Sequence, residues 1–148
     1  VTGVAAVDPT RAHPSRFVAE ARIRARLYML AAYPGAVAAA PAGAWVHGKV
    51  FRLLGTARML RVVDAYERYR PDHMRGSEFV RLTTAAHCSG TDTTLPVWVY
   101  YYNRPVKLRQ RIAGGDYLRH LRPASKTATP STWAVWGNIS TAPARVRR

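Results

Sequence analysis

Residues 56–69, TARMLRVVDAYERY, carry the period of a helix and stand between segments that carry the period of strands, which limits the folds open to this chain. Wound at roughly 100° per residue from Met59, the helix puts Val63 at about 40°, Leu60 at about 100°, Val62 at about 300° and Tyr66 at about 340°, one apolar arc. Arg61 and Arg68 fall on the opposite face. Glu67 falls at about 80°, inside the arc. A carboxylate that faces the core without a partner has its charged form disfavoured and its pKa raised, which suits a general base. The competing reading makes Glu67 a rim residue salt-bridged to a neighbour such as Arg26 or Arg81.

The flanking segments alternate with period two. Residues 17–30, FVAEARIRARLYML, set Ala21, Ile23, Ala25, Leu27 and Met29 against Arg22, Arg24, Arg26 and Tyr28, the pattern of a half-buried strand. Residues 45–53, WVHGKVFRL, alternate again, and Gly48 within them suggests a bulge or a close backbone approach. Residues 79–86 and 95–102, the latter LPVWVYYY, read as two further strands. Tyr33-Pro34-Gly35 reads as a turn, residues 36–44 as a short excursion between strands, and residues 111–117, RIAGGDY, as a glycine-punctuated loop. Pro71 ends the helix. The order strand, strand, helix, strand, strand predicts a single α+β domain with a curled mixed, mostly antiparallel sheet or barrel and one packed helix.

At 148 residues with 48% hydrophobic content the chain can bury a core, and no apolar run reaches the roughly 20 residues of a membrane span. A lone cysteine, Cys88, excludes an internal disulfide and suits a reducing, cytoplasmic compartment. The formal net charge of +15 invites a nucleic-acid partner. Against it, 20 of the 23 basic residues are arginine, a bias that coding composition can produce, and they form no run of five or more like charges. The five histidines are scattered without metal-ligand spacing, and no P-loop, dinucleotide fingerprint or nucleophile elbow occurs. Of the eight acidic residues, Glu67 alone among the helical ones combines an inward face with flanking aromatics.

Six segments in order, RLYMLAAYPG (26–35), VHGKVFRL (46–53), VDAYERY (63–69), SEFVRL (77–82), VWVYYYNRP (97–105) and RIAGGDY (111–117), resemble the γ-glutamylcyclotransferase-like, or AIG2-like, superfamily. The resemblance covers residues 17–120 and implies a small curled barrel with helices at its side. It assigns Glu67, in the D-x-Y-E segment, the role of catalytic acid/base. The implied reaction cyclises a γ-glutamyl amine or peptide to 5-oxoproline, an acyl transfer with release of the amine, and needs no metal or organic cofactor. The implied partner is a small γ-glutamyl substrate; the composition separately offers no membrane span and leaves a basic nucleic-acid-binding protein as the less favoured alternative. Tyr33 and Gly35, in the loop that borders the pocket in the family, are candidate substrate-binding residues, as are Tyr100 and Tyr102. Trp98, Tyr100 and Tyr102 share one strand face, where packing on a sheet is the simpler role.

The chain also departs from the family's pattern. Members begin with a strand ending in Y-G-T-L or Y-G-S-L, whose backbone amides bind the substrate carboxylate or oxyanion. Here Gly3 stands in the glycine's place but Thr2 replaces the tyrosine, so residues 1–16 are expected to form a degenerate or truncated N-terminal strand. Lys49 stands where a glutamate is usual, and Arg68 where a glycine follows the catalytic acid. Loss of an oxyanion donor can cost about 10²–10³ in rate, so a catalytically degenerate member that binds a small ligand or a protein is the alternative to an active enzyme. Residues 121–148 are expected to form a basic tail rich in Ser, Thr, Ala and Pro, with Trp133 and Trp136 as possible anchors.

Overall fold

The computed structural model describes residues 15–31, 33–38, 42–54, 56–121 and 136–139. The N-terminal stretch to residue 14, with Thr2 and Gly3, and the tail apart from 136–139 lie outside the described residues. Strand β1 (Ser15–Arg24) pairs antiparallel with β4 (Trp45–Leu53) and with β5 (Phe79–Cys88). Strand β5 pairs antiparallel with β6 (Thr94–Tyr102), and β8 (Trp136–Ile139) bridges β6 and β4, running parallel to β4. The ring β1-β4-β8-β6-β5 is a closed barrel. A second sheet, β3-β2-β7, joins β2 (Arg26–Met29), β3 (Pro34–Val37) and β7 (Arg111–Ile112). Helix α1 is Thr56–Tyr66 and the short α2 is Tyr117–Leu121. The fold is therefore α+β with a curled, mostly antiparallel sheet, as its periodicities predict.

Alternation explains the barrel's core. Ala21, Ile23, Val46, Val50, Ala86, Val97, Val99 and Tyr101 point inward from four strands and are buried together, while Arg22, Arg24 and His47 face out. Each fully buried Val or Ile contributes about 1.5–3 kcal/mol relative to an exposed one. Closing the sheet on itself removes the unpaired edges that an open sheet would present.

Four expectations are corrected. The strand expected over 17–30 is two strands in two sheets, divided at Ala25, which is fully buried. Two collinear strands that keep one inward phase have the same period as one long strand, so periodicity does not separate them. Part of the expected excursion is strand β3, and the hairpin closes one step earlier, with the Leu30 amide donating to the Tyr33 carbonyl at 2.9 Å. Pro34 is tolerated as the first residue of that edge strand, where its missing N–H costs little. Gly48 pairs in register with Ala21, and the register shift falls between Phe17 and Ala19 instead. Residues 136–139, expected within a tail, form a strand of the barrel.

The RIAGGDY segment is more ordered than a loop. After β7, Gly115 (φ +62°) turns the chain, its carbonyl accepts the His47 amide at 2.9 Å, and Asp116 Oδ1 accepts the Arg119 amide at 3.1 Å to start α2. A Cβ on Gly115 would overlap the Trp45 carbonyl. Gly115→Ala is expected to destabilise the fold by about 2 kcal/mol, from the left-handed conformation and the displaced β4 backbone. Urea unfolding checks this as a lower midpoint at unchanged m-value.

Candidate active site

Helix α1 buries Met59 and Val63, the latter against Phe79 and Tyr100, and two buried carboxylates stand at its C-terminal end, Asp64 in the last turn and Glu67 just past it. The buried arc differs from the one periodicity predicts. Val62 and Tyr66 are exposed, and Asp64 lies inside, so the inward face is rotated by roughly 50° toward Glu67. Asp64 is drawn in by partners: Arg81 Nη1 donates to Oδ1 and Oδ2 at 3.0 and 3.1 Å, and the Tyr100 hydroxyl donates to Oδ1 at 2.6 Å. Arg81 also lies over the rings of Tyr69 and Trp98, at 5.5 and 5.3 Å from their centroids. Burial, with the bond to Asp64, pushes the Tyr100 hydroxyl's pKa well up. This cluster fastens the end of α1 to β5 and β6.

The helix ends by a Schellman arrangement. The Arg68 amide donates to the Ala65 carbonyl at 3.2 Å and the Tyr69 amide to the Asp64 carbonyl at 2.8 Å, with Arg68 at φ +54°. Glu67 is thus the residue just past the last helical turn, and its own amide still donates to Val63 at 2.9 Å. The left-handed position is the one where the family pattern has glycine, which explains that glycine physically. Arg68→Gly is expected to stabilise the protein by about 0.5–1 kcal/mol, since the exposed Arg68–Glu78 pair it removes contributes little. A rise in thermal midpoint checks it.

Glu67 is 8% exposed. Among the described residues it makes no ion pair: Arg81, one partner considered from sequence, is engaged by Asp64, and Arg26 Nε is buried without a hydrogen-bond partner. Burial raises the Glu67 pKa from 4.5 to about 7, and the neighbouring Glu78 carboxylate adds to the rise.

Sequence reasoning passed over Glu78. It precedes β5 and is placed by a tied loop: the buried Ser77 hydroxyl accepts the Arg70 amide at 2.9 Å, and Asn103 Nδ2 donates to the Met74 and Ser77 carbonyls at 3.0 and 3.1 Å. The Tyr33 hydroxyl donates to Glu78 Oε1 at 2.6 Å and Arg68 Nη1 to Oε2 at 3.2 Å. Burial and the bond to Glu78 push the Tyr33 hydroxyl up to about 12. A carboxylate next to a strand start has no periodic signature; only its neighbours in space single it out.

The other expected site residues converge on the same region. Tyr33 packs against Phe79 at 6.3 Å between ring centroids, and Phe79 against Tyr102 at 5.4 Å. A Cβ at Gly35 would stand 3.3 Å from the Tyr102 Cβ and closer still to the Leu30 side chain, so a larger residue there would require both neighbours to shift. Tyr33, Tyr100 and Tyr102 share one cluster with Val63 and Phe79. The Tyr100 hydroxyl is occupied by Asp64, whereas Tyr33 points its hydroxyl at a carboxylate. Lys49 lies elsewhere, on the outer face of β4 with its ammonium 4.0 Å from Glu20. A cavity of about 430 Å³ beside Arg22, His47 and His87 includes none of these residues. No group of three or more His, Cys, Asp and Glu among the described residues is placed to hold a metal.

The Glu67 carboxyl, its pKa near neutrality, thus lies beside a second carboxylate and near a cluster that holds several tyrosines. The family model described as gamma-glutamyl cyclotransferase, AIG2-like, matches residues 6–119, and the chain belongs to that family. Comparison with curated proteins and with solved structures finds no match. No helix among the described residues is long and apolar enough to cross a membrane.

Proposed function

We propose that the protein cyclises a γ-glutamyl amine or peptide to 5-oxoproline and releases the amine, with Glu67 as the catalytic base and acid. The observation that carries this is the buried Glu67 carboxyl, without an ion pair among the described residues and with its pKa near 7. Near that pH it can both accept and return a proton. Glu67 takes a proton from the substrate's α-ammonium group; the freed amine attacks the γ-carbonyl carbon, and a tetrahedral intermediate forms. The bond to the leaving nitrogen then breaks as that nitrogen takes the proton back from Glu67, and the extra proton on the ring nitrogen passes to the released amine, which leaves as an ammonium; Glu67 ends in its starting state. Glu78, Tyr33, Gly35, Tyr100 and Tyr102 border the place where the substrate's ammonium group and chain would lie. Much of the acceleration would come from holding amine and carbonyl in attack geometry. The single, buried Cys88 supports a reducing, cytoplasmic setting.

The test is 5-oxoproline release by the full chain from γ-glutamyl amino acids, a γ-glutamyl amine and glutathione. With an accepted substrate, kcat/KM should climb as pH rises through about 7, because the base acts only after losing its proton. No release from any member of the panel, or a flat profile across that range, overturns the proposal.

A further inference from the structure

The cavity of about 430 Å³ lies at the far end of β5 from Glu78, roughly 30 Å along the strand from Phe79. Strand register builds it. Arg22 of β1 stands opposite His47 of β4 on one side and opposite His87 of β5 on the other, so three nitrogen-bearing side chains form one row across three strands. Such neighbours have Cβ atoms about 4.5–5.5 Å apart. In the next row Arg24 stands opposite Trp45. The Arg22 and Arg24 guanidinium carbons lie 4.3 and 3.7 Å from the Trp45 ring centroid, and His87 meets the same ring edge-on at 5.0 Å.

Among the described residues neither arginine makes an ion pair. Stacking on Trp45 holds the Arg22 guanidinium in place, and a stacked guanidinium keeps its in-plane N–H edge for an acceptor. The turn after β5 adds the hydroxyls of Ser89, Thr91 and Thr93 to the lining. Thr91 Oγ1 already accepts the Thr93 amide at 3.2 Å, which leaves its O–H to donate outward. The lining contains one acid, the exposed Asp92, which reaches neither arginine. The Arg22 guanidinium, in the lining and without an ion pair among the described residues, is open to an anion, and donors arriving from three strands and a turn outnumber what one planar carboxylate can accept.

We propose that this cavity binds the phosphate group of a small phosphorylated molecule, with Arg22 as the principal contact. A volume of this size suits a small-molecule site.

The experiment titrates inorganic phosphate, then phenyl phosphate, into the full chain at constant pH and ionic strength, following the Trp45 indole and the His47 and His87 ring signals by NMR. Both ligands should produce saturable shifts that chloride does not, with phenyl phosphate binding at least as tightly as inorganic phosphate. Arg22→Met, an exposed position distant from Glu67, should weaken both by about tenfold, the ratio for one lost charge-assisted contact, while leaving 5-oxoproline release unchanged. If Arg22→Met perturbs the fold, Thr91→Val supplies the second variant, with a smaller loss expected. Absence of a saturable shift, or affinity that ignores both substitutions, overturns the proposal. Displacement of phosphate by a single-stranded oligonucleotide that binds more tightly than phenyl phosphate also overturns it, and moves the site to nucleic-acid binding.

Discussion

Glu67→Gln is expected to abolish 5-oxoproline release and, at the same time, to make the protein more stable above neutral pH. The first effect follows from losing the base, typically worth 10²–10⁴ in rate. The second follows from the raised pKa. The folded carboxyl, with a pKa of about 7, holds its proton more tightly than the unfolded one at 4.5. Below pH 4.5 both states are protonated and the group contributes nothing. Between 4.5 and about 7 the unfolded state ionises first, and stability falls; above 7 the full cost is present, of the order of 3 kcal/mol. Glutamine carries no charge to bury and escapes that cost. Denaturant unfolding at about pH 5 and about pH 8 should therefore show the variant's advantage growing with pH. Were Glu67 instead held by a cation, its pKa would be depressed and the substitution would destabilise at the higher pH. A variant with parental turnover would end the catalytic assignment. Glu67→Asp, which keeps the charge on a shorter arm, should fold and lose most of its rate.

Asp64→Ala is expected to cost about 3–5 kcal/mol, because it strands a part-buried guanidinium and a buried hydroxyl together. Arg81 would keep its two rings but lose its carboxylate, and Tyr100 would lose a 2.6 Å acceptor in a site it cannot leave. The end of α1 would lose its polar tie to β5 and β6, so Glu67 should also lose its position. Asp64→Asn keeps one acceptor oxygen, which in the parent both partners reach as Oδ1, and should lose less. Replacing the set by apolar groups, Asp64→Leu with Arg81→Met and Tyr100→Phe, should regain much of the stability, since the penalty comes from unpaired partners rather than from the absence of a charge. Urea midpoints across the four proteins test the order: parent and apolar set highest, Asp64→Asn between, Asp64→Ala lowest.

Local pattern determined which residues become strands and which become a helix. Period two over 45–53 and over 95–102 recurs as β4 and β6 almost to the residue, because alternation states directly which side chains face one way. Helical spacing likewise placed Glu67 inward. The same spacing misplaced Val62, Tyr66 and Asp64, because what turns the helix is not its own apolar count. It is a guanidinium 17 residues away and a phenol 36 residues away, both closing on Asp64. Tertiary structure alone decided which strands lie side by side: the division at Ala25, the entry of residues 136–139 between β4 and β6, and the row of Arg22, His47 and His87. It also decided that Glu78, anchored through Ser77 and Asn103, would stand near Glu67 and lift its pKa. Periodicity is a property of neighbours along the chain, whereas these contacts join residues that meet only after the barrel has closed, and the chemistry of Glu67 depends on both.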